Sequence, residues 1–178
     1  MPATVFGLPT HALLVHATVV LVPLAALAVL LHALWPAAAR RLGIMTPLLA
    51  LAALVLTPLS TESGEVLERS VGENPLVERH AELADGLAPW TIGLFVVAVG
   101  LWLLDRRRAR VAVPAGGAGD AGAERPGLPR WVPLVAAVLA VAAAAGTTQQ
   151  IIRIGHAGAE ATWHGVVTSS NPSGGDDD

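Results

Sequence analysis

Apolar residues in this chain fall into four long stretches, approximately 12–35, 43–60, 87–104 and 132–154, within which Arg153 is the only side chain with a fixed charge. Crossing a hydrocarbon core about 30 Å thick takes roughly 20 helical residues. Inside lipid, every backbone N–H and C=O must find a partner within the protein, so segments of this kind are expected to be helices. The second stretch is the shortest and carries Pro47 and Pro58 near its ends, which makes its boundaries the least sharply defined. The pattern predicts an all-α fold: a polytopic membrane four-helix bundle built as a single domain over 1–168.

The polar segments between the stretches are asymmetric. Arg40 and Arg41 follow the first stretch; Arg106, Arg107, Arg108 and Arg110 follow the third; Arg125 and Arg130 precede the fourth. By the positive-inside rule these segments face the cytoplasm. The segment between the second and third stretches holds Glu62, Glu65, Glu68, Glu73 and Glu78 against Arg69 and Arg79, which predicts the opposite side. Both termini are then expected outside, in a multi-pass protein of the plasma membrane. Residues 109–129, rich in Ala, Gly and Pro, read as a flexible cytoplasmic linker. Residues 169–178, ending in three aspartates, read as a disordered tail.

Composition supports this picture and narrows the chemistry. The chain is 53% hydrophobic and 14% charged, whereas a soluble domain is about a quarter charged. With no cysteine, disulfides, iron–sulfur clusters and thiolate metal sites are excluded. A net charge of −3 argues against a nucleic-acid partner. All basic residues are arginine, and with the Ala, Gly and Pro richness this points to a GC-rich bacterial gene. The lipid bilayer is the expected surrounding, with a redox or membrane-protein partner open.

Histidines concentrate at the ends of the stretches predicted to face outward. His11 lies at the mouth of the first, and His16 about 7 Å further in. His80 is placed at the opening of the helix leading into the third, and Gln149, Arg153 and His156 at the close of the fourth. Their spacings of four and three put Gln149, Arg153 and His156 on one helical face. Polar groups at membrane depth usually face the bundle interior and pair. On that basis Arg153 is expected to meet Glu65 or Glu82, with Gln149 bonding a neighbouring backbone. His32, near the other end of the first stretch, is expected at the membrane interface, and His164 on the surface of the tail helix.

Three blocks carry a family resemblance: Gly7-Leu8-Pro9 with His11, Leu14-Val15-His16 and Pro23-Leu24; Ser63-Gly64-Glu65 with Glu68, then His80-Ala81-Glu82-Leu83; and Arg153-Ile154-Gly155-His156 with Gly158-Ala159 and Trp163. In these the chain resembles the domain of unknown function 2231 family, bacterial four-helix membrane proteins without an established activity. The resemblance implies an architecture similar to cytochrome-b-like bundles. It implies His16 and His80 as axial ligands of a single haem b, with His11 and His156 as alternatives and Glu65, Glu82, Gln149 and Arg153 around them. The inner tier of a diheme pattern is missing.

Two functions stay open. One is cofactor binding for electron transfer, through a haem or through a metal held by imidazoles with Glu65 or Glu82. The other is a structural or assembly subunit with no cofactor, packed through small-residue faces such as 140–145. No catalytic residue set can be assembled from the sequence.

Overall fold

The computed structural model of the chain describes residues 4–5, 7–71, 74–112, 129 and 131–168. Two-residue strands, β1 (Thr4–Val5) and β2 (Leu8–Pro9), pair antiparallel around Gly7. The rest of the regular structure is helical: α1 (Thr10–Leu34), α2 (Pro36–Leu42), α3 (Met45–Val71), α4 (Pro75–Asp85), α5 (Ala88–Ala112) and α6 (Trp131–Thr168). Of these, α1, α3, α5 (counted together with the polar α4 before it) and α6 supply four segments long and apolar enough to cross a membrane.

The long helices pack as a closed ring in which α1 touches α3 and α6, and α5 touches α3 and α6. The core is small-residue rich: Val22, Ala25, Ala26 and Val29 of α1 meet Ala50 and Ala53 of α3, Leu94 and Ala98 of α5, and Ala140 and Ala144 of α6. Alanines at these positions let helix backbones approach closely, as membrane helix interfaces favour. Outward faces are apolar too, with Val20, Val96, Leu134 and Ile152 all exposed. A helix apolar all round is one whose outer face also avoids water. Threonines at the helix contacts are buried and satisfied: Thr57 Oγ1 donates to the Ala53 carbonyl, and Thr147 Oγ1 to that of Ala143, the back-bonding open to helical hydroxyls.

Two expected boundaries move. The second stretch was expected to end at residue 60, yet α3 runs on to Val71, because helix formation outlasts hydrophobicity. Beyond Ser60 the residues stay helix-compatible, and Glu65 and Arg69 pair one turn apart at 3.2 Å, a spacing that supports an exposed helix. Similarly α6 has 38 residues, about 57 Å of helix, and passes well beyond residue 154. Between them α4 is a separate helix, started by Asn74, whose Oδ1 accepts from Leu76 N (2.9 Å), with Pro75 at its first turn. Most of the expected linker, together with Glu73 and the tail 169–178, lies outside the described residues, as does the side chain of His164.

The helices give the molecule two chemically distinct ends. At one, Arg40 and Arg41 of α2 and Arg106, Arg107 and Arg108 of α5 are exposed. At the other lie Glu62, Glu65, Glu68, Glu78, Glu82 and Glu160 with His11 and His80. The reversal from α2 into α3 occurs at Gly43, whose φ of 45° suits a residue without Cβ.

Candidate functional site

At the histidine-bearing end, a polar network forms where α1 meets α3. His11 Nδ1 donates to the Ser60 carbonyl (3.1 Å) and lies 3.2 Å from Ser63 Oγ, which itself donates to the Ser60 carbonyl at 2.8 Å. About two turns further along α1, Thr18 Oγ1 and Ser60 Oγ are 2.7 Å apart and buried. Gly64 makes room for the imidazole: a Cβ there would sit 3.1 Å from His11 Cε1.

A parallel arrangement joins α4 to α6. His80 Nδ1 donates to the Ile154 carbonyl at 3.0 Å. Its ring lies on Gly158, where a Cβ would come within 3.0 Å of Cε1. Two further bonds hold α4 against α6: Gln150 Nε2 donates to the Leu83 carbonyl (2.6 Å), and Arg79 meets Glu160 at 3.5 Å. Both histidines are half-buried, and they lie within electrostatic reach of each other.

Their hydrogen bonds fix the tautomer. A carbonyl oxygen only accepts, so each Nδ1 carries the proton. The lone pair then sits on Nε2, which has no hydrogen-bond partner among the described residues in either ring. An imidazole anchored through Nδ1–H to a backbone carbonyl, with Nε2 left to coordinate, is the form that ligating histidines take.

The remaining candidates are placed differently. His16 is exposed and folds back on its own helix, donating from Nδ1 to the Ala12 carbonyl. It is not joined to the His11 and His80 group. The reason is register: half-buried His11 and buried Thr18, Ala25 and His32 follow one another seven residues apart on the inward side of α1, and His16 lies five residues on from His11, well around the helix. On α6, Gln149, Arg153 and His156 share a face as expected, but that face is the exposed one. The buried stripe runs one residue away, through Thr147, Ile151 and Ala157. Thus Gln150, rather than Gln149, makes the backbone bond. Glu65 pairs with Arg69 instead of Arg153, and Glu82 is exposed. Among the described residues no group of three or more His, Cys, Asp or Glu side chains is placed to hold a metal ion.

His32 adds a contact that its position alone did not reveal. It faces the bundle interior, 4% exposed, and closes the arginine-rich end of the ring. Its Nε2 donates to Asp105 Oδ2 of α5 at 3.1 Å, and its Nδ1 lies 2.8 Å from Thr46 Oγ1 of α3. The seven-residue recurrence from His11 to His32 is the sequence signal that points inward at both ends. Asp105 also lies 3.6 Å from Arg108.

Compared with known protein families, characterised proteins and solved structures, the chain matches none of them.

Proposed function

We propose that this is an integral membrane protein of the plasma membrane, resembling the domain of unknown function 2231 family, that binds one b-type haem at its histidine-bearing end for electron transfer. His11 and His80 would hold it, and that end would face outward. The observation that carries the reading is the shared state of the two imidazoles: both anchored on another helix through Nδ1–H, both presenting an unbonded Nε2, both seated on a glycine.

The donor set favours haem over a bare ion. A protein-bound transition metal generally draws three or four ligands from side chains, and this group offers two. Two imidazoles would suffice for a haem, whose ring brings the remaining donor atoms and which would carry one electron at a time when bound. The chain's part is to orient the imidazoles, which the Ser60 and Ile154 carbonyls do, and to limit water, which the Thr18 and Ser60 contact and the alanine core beneath it do. His16, exposed and bonded to its own turn, has no part in this reading.

Purification in detergent after expression with added haem tests it. An intense Soret band is the expected result; its absence after haem supplementation contradicts the reading.

A second reading rests on the same two bonds. They tie α1 to α3 and α4 to α6, so the histidines serve equally as clamps in a structural subunit with no cofactor. Under that reading their replacement lowers thermal stability and no absorbance accompanies the protein.

A further inference from the structure

On the face of the ring away from His80, α1 and α6 leave a groove of about 460 Å³. Leu30 of α1 and Val141, Ala145 and Ile152 of α6 form its apolar walls, and Gln149 and Arg153 stand at one end. From Val141 to Arg153 is twelve helical residues, about 18 Å. That is close to half of a hydrocarbon core about 30 Å thick. The groove runs from Leu30 and Val141, on the arginine-rich side, toward Arg153 on the histidine-bearing side, a length that one acyl chain can follow.

Arg153 makes the mouth chemically specific. Its side chain is exposed, and among the described residues no carboxylate pairs with it. A guanidinium at this depth needs an anion or water, and its stem can lie along apolar wall while the head reaches the boundary. Gln149, one turn away on the same exposed face, adds amide donors. The complementary ligand joins an apolar chain to a negative head.

We propose that this groove binds an anionic phospholipid, with one acyl chain along Leu30, Val141 and Ala145 and the phosphate held by Arg153 and Gln149. The guanidinium fork matches two phosphate oxygens. The proposal rests on the membrane reading and is independent of haem.

Native mass spectrometry of the full chain in detergent tests it, with phosphatidylglycerol and phosphatidylcholine of identical acyl chains titrated separately. The expected result is about fivefold tighter retention of phosphatidylglycerol, the worth of one favourable arginine contact at a membrane surface. Arg153→Gln should bring the ratio close to one, and Arg153→Lys should keep most of it. Arg107→Gln, at the opposite end, should leave it unchanged. Ala145→Phe projects from an exposed position into the groove and should weaken retention of both lipids. Equal retention by the wild-type protein, or a preference that survives Arg153→Gln, overturns the proposal. A lipid-free dimer that Ala145→Phe dissociates also overturns it, since a second copy then fills the groove. Protein recovered as a soluble species without detergent defeats the membrane reading as well; detergent-dependent extraction with equal retention defeats only the lipid site.

Discussion

A half-buried or buried imidazole has two nitrogens to account for, and the histidines at the two ends of α1 do so differently. His32 engages both, with Asp105 and Thr46; His11 engages only Nδ1. The first is a completed structural contact and the second retains a free donor atom, which is why function is assigned to the second. Replacing His32 by Ala leaves the Thr46 hydroxyl, fully buried, without its partner. The cost of a buried unsatisfied group is about 1–3 kcal/mol, so thermal unfolding in detergent should shift down for His32→Ala while any haem absorbance persists. Glycine at 146 has a different role: a Cβ there would overlap the Trp90 ring. Gly146→Ala should therefore cost about 1–3 kcal/mol by overpacking, in the same measurement. These contacts were partly legible beforehand. The histidine-rich end was visible from position alone, but which histidines turn inward depends on helical register, where a single residue rotates the side chain by about 100°. His16 was favoured by the family resemblance, and its apolar neighbours do not distinguish the interior of such a bundle from its outer side.

Among the helices, α4 depends most on its anchors. It has no fully buried residue, so its place on α6 rests on His80, on Gln150 to Leu83, and on Arg79 with Glu160. Its start depends on the Asn74 cap. Asn74→Ala should weaken the helix by about 1 kcal/mol, and amide exchange across 75–85 should quicken relative to α1. If haem is bound, its retention should fall as well, because His80 is carried on this helix. Unchanged exchange would show that packing on α6 alone fixes α4. The four apolar stretches could be read from hydropathy alone, whereas the lengths of α3 and α6 could not. Hydropathy reports where lipid would be tolerated, and both helices continue where it ends: α3 through an exposed Glu65 and Arg69 pair, α6 through Gly155 and Gly158 without a proline to stop it.

Taken as one body, the ring separates charge along its axis, with arginines at the His32 end and carboxylates at the His11 end. The positive-inside rule predicts that the arginine-rich end faces the cytoplasm. A reporter enzyme active only outside the cytoplasm should work when fused at the C-terminus and fail when fused after Arg108; the reverse pattern would invert the topology. The charge asymmetry was evident in the sequence because arginine position needs no knowledge of packing. The electrostatic proximity of His11 and His80 was not, because it depends on how α1 and α4, remote in the chain, are placed by α3 and α6. Whether these two imidazoles hold one group is what the optical spectrum of point variants interrogates. With haem supplied during expression, the wild-type protein and His16→Ala should both show the Soret band of a six-coordinate haem, while His11→Ala and His80→Ala should each lose it or shift it to a five-coordinate form. A band retained unchanged in His11→Ala or His80→Ala, or abolished by His16→Ala alone, would contradict the assignment.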